Sequence, residues 1–338
     1  MLHRQDSRSF QAVLPAATAL ALAAAILAGC GASSDNASAP PLTQPATLLL
    51  DFTPNAIHAG AYLAVKEGLD KTSGVDLTIR APSSSTDAVK LLDAGRADFA
   101  FMDIHDLALA DAKGAKLVGV MAVVERPLAS VLAAPSIERP RDLEGHLAGV
   151  TGLPSDDAIL DSIVKGDGGD PGRVKKITIG FNAVPSLLAG KVSAATGFWN
   201  AEGVALKAKR PGTRVFRVDD FGAPAYPELV LATSRATLKA KPALVRALVN
   251  ALGQSYLRAL ANPPSAIAAL VAGAKGVDPA GATREFKALA RAFMPQGELF
   301  GALSRKRLAA WAAWEQQFGV VKRAPVVEEL FGAGFLQP

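Results

Sequence analysis

Six short segments gather the side chains best able to grip or transform a small molecule. They read DFTPNAIH (51–58), APSSSTD (81–87), MDIHD (102–106), TGLPSDD (151–157), GFNAVP (180–185) and GFWNAEG (197–203). Helix N-capping accounts in part for Thr86, Ser155 and Asn200, because Ser, Thr, Asp and Asn are expected at helix starts. It does not account for Phe52, His58, Phe198 or Trp199. The hydroxyl run Ser83–Thr86 could either cap a helix or offer hydroxyl and N–H donors to a polar or anionic group. Asp103, His105 and Asp106 are all possible metal ligands. Three ligands on one short loop do not converge easily, so no metal is expected. KGDGGDPG (165–172) lacks the calcium-loop spacing and the closing Glu, and reads as a helix stop and turn. The chain carries no nucleophile elbow, phosphate loop or dinucleotide fingerprint, so no cofactor is expected.

These segments follow short apolar runs. TLLLDF, VDLTIRA, ADFAFMD and KLVGVMAVV read as strands, separated by the helical stretches AGAYLAVKEG, STDAVKLLDAG and HDLALADAKG. After ERPRDLEG the pattern restarts with LAGVTG, KKITIGF, SAATGFW and TRVFRVD, again with helices between, and ELVLATS follows. Such alternation predicts α/β units with parallel sheets. In open parallel sheets ligands sit at the carboxyl ends of the strands, which is where the six segments fall. The remainder is mostly helical; Leu244, Leu248 and Leu252 share one face of PALVRALVNALGQSYLRALA. That last third either forms a third domain or returns to the first unit. In the second case the chain crosses between lobes near Glu125-Arg126-Pro127 and Asp219-Asp220-Phe221.

The 338 residues carry 36 basic and 31 acidic side chains, mixed along the chain. No basic block or aromatic stripe suggests nucleic acid. Residues 1–29 join a basic start to a long apolar stretch, as in a signal peptide. Leu27-Ala28-Gly29-Cys30 is similar to the bacterial lipobox, which makes Cys30 the expected lipidation site; an uncleaved transmembrane anchor is the alternative. Residues 30–45, rich in Ser, Ala and Pro, suit a flexible tether. Cys30 is the only cysteine, which excludes an internal disulfide or a cysteine-rich metal site.

LLLDFTPNAIHAGAYLAVKEG (48–68) resembles the opening of the thiamine-pyrimidine-synthase-like group of bacterial solute-binding proteins, which commonly begins Leu-Asp-Trp-x-Pro-Asn-x-x-His-x-Gly. FWNAEGVAL (198–206) and DDFGAPAYPELVL (219–231) resemble two further segments of that group, within a likeness running from about residue 46 to 260. The resemblance implies a two-lobed type II periplasmic-binding-protein fold, with 46–125 and 223–338 forming lobe 1 and 126–222 forming lobe 2. It implies a monomeric, extracytoplasmic, lipid-anchored receptor that passes a small molecule to an ABC permease. Thiamine pyrimidine precursors are the expected ligand; riboflavin, nitrate, sulfonates and taurine are the alternatives. Fungal members of the group are pyrimidine synthases that consume a histidine, matched here by His58, and use a cysteine-rich iron motif, which this chain lacks. Phe52 stands where the group usually has Trp, keeping a stacking face but not the indole N–H. On this reading Phe52 and Trp199 sandwich a ring. Asn55, Asp103 and Glu202 bond its polar edge, His58 and Tyr226 close the cleft, and Ser84, Ser85 and Thr86 hold a substituent.

Overall fold

The computed structural model describes residues 43–83, 87–294 and 299–337. Its frame is two five-stranded mixed sheets. Strands β1 (Gln44–Leu49), β2 (Val75–Arg80), β3 (Phe99–Asp103) and β4 (Leu117–Val124) come first in the chain. Strands β5 (Ala129–Ala133), β6 (Leu147–Val150), β7 (Lys175–Thr178), β8 (Ala194–Phe198) and β9 (Arg214–Arg217) follow, and β10 (Leu229–Ser234) comes last. The first sheet has the order β2-β1-β3-β10-β4 and the second the order β7-β6-β8-β5-β9. β1 is parallel to β2 and β3, while β10 runs antiparallel between β3 and β4. β5 repeats that arrangement between β8 and β9. The chain therefore passes from the first sheet to the second at 125–128 and returns at 218–228.

β5 is absent from the sequence reading. It follows β4 directly, with no helix between, so a search for strand–helix alternation steps over it. Helices connect the parallel strands, which need a crossover rather than a tight turn. Helix Ala59–Lys66 leads toward β2, Ile104–Ala112 joins β3 to β4, and Pro154–Gly166 lies between β6 and β7.

The helical last third returns to the first sheet. Helix Pro242–Ala261 lays Tyr256 on the backbone at Gly60, where an added Cβ would stand 2.6 Å from the ring. The Tyr256 hydroxyl donates to the Ile57 carbonyl at 2.9 Å, and Ser255 Oγ donates to the Gly60 carbonyl at 2.6 Å. Leu244, Leu248 and Leu252 are all buried along the same helix. Glu125, just after β4, fixes helix Pro279–Phe293: its N–H donates to the Ala292 carbonyl at 2.7 Å. Full burial of each such apolar side chain contributes about 1.5–3 kcal/mol, which explains why this third does not stand apart. Among the described residues no helix is long and apolar enough to cross a membrane.

Candidate functional site

The cleft-facing ends of the two sheets enclose a cavity of about 130 Å³. A parallel strand presents its carboxyl end there. An antiparallel strand presents its start, so the residues entering β5 and β10 also reach the cleft. From the first lobe come Asp51, Phe52, Asn55, Asp103, His105 and Asp106; Glu228 comes from the returning crossing. The second lobe adds Ser130, Thr151, Ser155, Asp156, Phe181, Thr196, Phe198 and Glu202. Six of these side chains are carboxyls, and among the described lining residues there is no Lys or Arg.

Local folding positions each group. Asn55 caps a short 3-10 turn at Ala56–His58: its Oδ1 accepts from the Ile57 N–H at 2.9 Å, and its Nδ2 donates to the Thr53 carbonyl at 3.1 Å. The Asn55 N–H donates to His58 Nδ1 at 3.1 Å, which leaves the proton on Nε2 to be donated to Asp51 Oδ1 at 2.8 Å. His58 is fully buried and stacked on Phe101, so it orients Asp51 from behind. Asp103 caps helix Ile104–Ala112 by accepting from the His105 N–H at 2.7 Å. Glu202 accepts from the Phe198 N–H at 3.0 Å, and Asp156 accepts from the Thr151 N–H at 2.7 Å. Glu228 Oε2 accepts from the N–H groups of Leu128 and Ala129, the latter at 3.0 Å, and so ties the returning crossing to the outgoing one.

Electrostatics follow from this crowding. Burial pushes the Asp103, Asp156, Glu202 and Glu228 carboxyls upward, against the pull of their hydrogen-bond donors and, for Asp103 and Glu228, of His105. Asp106 is pushed up to about 7, chiefly by burial, with His105 opposing. Burial disfavours a charge on His105, but Glu315, Asp103 and Glu228 outweigh it and hold the imidazole at about 10. His105 bonds through Nδ1 to Glu315 and lies 3.1 Å through Nε2 from the Tyr226 hydroxyl.

The structure brings Phe52, Asn55, Asp103 and Glu202 to the cavity wall. It leaves three expected residues one layer back. Trp199 donates from Nε1 to the Pro127 carbonyl at 2.9 Å, and the Arg217 guanidinium lies 4.5 Å from its ring centre, so its indole braces the crossings. Tyr226 is fully buried behind His105, and His58 behind Asp51. Asn55 lines the wall with an amide already engaged by its own turn. Ser84, Ser85, Thr86 and Cys30 lie outside the described residues. Asp103 and His105 do converge, but with Glu228, a partner that the loop sequence alone could not supply.

Phe181, Glu228, Ser130 and Thr196 line the wall but are not singled out by the sequence. Phe181 meets Phe52 across the cleft with ring centres 4.6 Å apart and planes at 87°. It lies within GFNAVP, and its exposure beside a turn gave no separate signal. Glu228 precedes an antiparallel strand, and the rule for strand starts would have found it once β10 was known to run backwards.

Comparison with known proteins adds to the geometry. A formylaminopyrimidine-binding protein of Halalkalibacterium halodurans is 31% identical over 255 residues, covering 75% of this chain and 77% of that protein. The 4-amino-5-hydroxymethyl-2-methylpyrimidine phosphate synthase THI5 of Saccharomyces cerevisiae is 26% identical over 238 residues, covering 66% and 69%. The periplasmic aliphatic sulphonate binding protein SsuA of Escherichia coli superposes with a TM-score of 0.69 at 14% identity, covering 86% of this chain and 98% of that one. The last likeness is one of fold: two α/β lobes, two crossings and helices in the last third. The family described as NMT1/THI5 like matches residues 55–266, more than half of the sequence, and the chain belongs to it.

Proposed function

We propose that this chain is the solute receptor of an ABC importer, and that its cleft captures a small, amine-bearing aromatic heterocycle, best matched by a thiamine-type pyrimidine. The acid wall carries this reading: among the described residues six carboxyls and no Lys or Arg line the cavity, and its one cation, His105, is already matched by Glu315, Asp103 and Glu228. Nitrate, sulfonates and taurine need convergent cationic donors, and an unpaired anion buried here would meet like charge. Amines and protonated ring nitrogens are what carboxylates bind well. Size agrees with a small ring: the cavity is about 130 Å³, close to the about 150 Å³ that takes a single benzene ring. Phe52 and Phe181 supply ring faces at the mouth. The relative named for formylaminopyrimidine binding points in the same direction.

The receptor reading is favoured over synthesis by the surroundings of His58. It is fully buried and bonded on both ring nitrogens, and Cys30 is the only cysteine available for iron. The segment around Cys30 supports lipid anchoring at an extracytoplasmic membrane face; Cys30→Ser should release the protein from membranes or leave it unprocessed. The expected partners are the small molecule and a permease, with the receptor acting as a monomer.

Calorimetry against aminopyrimidines, riboflavin, nitrate and taurine tests the ligand class. Tight binding of an aminopyrimidine alone is the expected result. Binding of taurine or nitrate without any heterocycle would overturn the proposal.

A further inference from the structure

We propose that Asp103, His105 and Glu228 hold one divalent metal ion at the floor of the cavity. Each side chain offers one ligand atom, and the three atoms lie within 4.8 Å of one another. His105 Nε2 and Glu228 Oε1 are 4.0 Å apart. Zinc–nitrogen and zinc–oxygen bonds of about 2.0–2.2 Å place neighbouring ligand atoms roughly 3–4 Å apart, so closure on an ion asks for a shift of about 1 Å or less.

The stronger argument is that each side chain is fixed at one end while its other end lies within reach of the other two. His105 gives Nδ1 to Glu315, the carboxylate-backed arrangement that turns Nε2 outward as a metal ligand. Asp103 gives Oδ1 to the His105 N–H. Glu228 gives Oε2 to Ala129 and Leu128, and its Oε1 is buried with no donor among the described residues. Leaving a buried acceptor unsatisfied is costly. A proton shared between Asp103 and Glu228 would satisfy that oxygen but make no use of His105 Nε2. One cation would engage all three, displacing the Tyr226 contact from His105 Nε2. The Tyr226 hydroxyl, 3.1 Å from Nε2, would then bond to a ligating carboxylate instead.

Two carboxylates and one imidazole, without thiolate, suit Zn²⁺, Mn²⁺ or Co²⁺ rather than a soft cuprous ion. All three ligands also line the cavity, so the ion's remaining positions face the solute or water. A metal here would let the floor coordinate a ring nitrogen, a mode of recognition distinct from hydrogen bonding by the acid wall.

The test uses metal-stripped wild-type protein with no organic solute, titrated with Zn²⁺ and Co²⁺. One equivalent should bind. Visible cobalt absorption should report nitrogen–oxygen ligation, and anomalous diffraction at the zinc edge should place the ion between Asp103, His105 and Glu228. Glu228→Gln should weaken zinc binding at least tenfold, and Glu315→Gln, which touches no metal, by about 10–100-fold. His146→Ala, at an exposed imidazole, should change nothing. Failure to take up zinc, an anomalous peak elsewhere, or equal affinity in the folded Glu228→Gln protein would overturn the proposal. The wild-type anomalous peak remains decisive if either glutamine variant fails to fold. Heterocycle binding measured in chelator is a separate experiment, so either reading can fail alone.

Discussion

The two lobes share a strand order but are finished differently. In the first, β4 is buried at all eight positions, and the helical last third covers the sheet. Its cleft edge is acidic and braced from behind by His58, Tyr226 and Glu315. In the second, β7 is exposed at all four positions, and Ile177 and Phe181 are 46% and 47% exposed. Its cleft edge adds hydroxyls, the carboxyls of Asp156 and Glu202, and the rings of Phe181 and Phe198. The first lobe is thus a fixed floor, and the second a lighter clamp that brings side chains to it. Similar sheets are given different work by what is packed behind them.

Truncation should break this asymmetry most completely. A chain ending at residue 222 loses β10 from the middle of the first sheet and every helix that follows it in the chain. It should be insoluble or show no cooperative unfolding. A soluble product that binds solute normally would mean that the last third is not integral to the first lobe.

A single methyl should act next most strongly. Gly60→Ala places a Cβ 2.6 Å from the ring of the fully buried Tyr256. Overpacking of this kind costs about 1–3 kcal/mol, measured by urea denaturation. Ile177→Thr on the exposed edge of the second lobe should change stability by roughly 0.5 kcal/mol or less. Equal effects at the two sites would erase the contrast.

The seam between β4 and the last third should titrate. Burial raises the Glu125 carboxyl to about 8, with Arg307 and the N–H groups of Gly301 and Ala302 pulling the other way. A carboxyl raised on folding holds its proton more tightly in the native state. Its stabilising contribution is therefore full below the unfolded value and is lost as pH rises through about 8. Glu125→Gln should flatten the fall in stability across that window, as read from denaturation midpoints at successive pH values. An unchanged slope would place the titration elsewhere.

The smallest effect belongs to the mouth. Phe52→Ala and Phe181→Ala should each weaken heterocycle binding about two- to tenfold, the equivalent of roughly 0.5–1.5 kcal/mol for an aromatic contact. Phe181→Ala should barely move the melting temperature, since that ring is half exposed. Wild-type affinity in both variants would remove the clamp from the binding step.

Much of the frame is legible in the sequence because it is periodic. Nine of the ten sheet strands announce themselves as apolar runs between amphipathic helices, and Leu244, Leu248 and Leu252 mark their helix by spacing alone. β5 does not, because a strand entered straight from a crossing has no helix to frame it. The wall is legible only by neighbourhood. Phe52, Asp103 and Glu202 reach the cavity from strand ends, yet Trp199, two residues after Gly197, points back to Pro127. Side-chain direction at a strand end depends on the turn that follows, and that turn is set by tertiary contacts. His58 could be read as a wall residue because nothing local reveals that both its ring nitrogens are already bonded.

The bond from Glu228 to Leu128 and Ala129 fastens the two crossings beneath the cavity, and Arg126 meets Asp219 beside it at 2.5 Å. A hinge set at the floor acts as a short lever: rotating the lobes displaces each atom in proportion to its height above the pivot. If the lobes rotate about these crossings, the floor moves least and Phe52 and Phe181 travel farthest. A solute should dock first on a surface already assembled and be locked in afterwards. Floor substitutions should therefore alter capture as well as release, whereas mouth substitutions should act on the escape rate alone. Stopped-flow dissociation of the Phe181→Ala protein would show it: faster escape with unchanged association marks a floor-level pivot, and slowed association places the pivot higher.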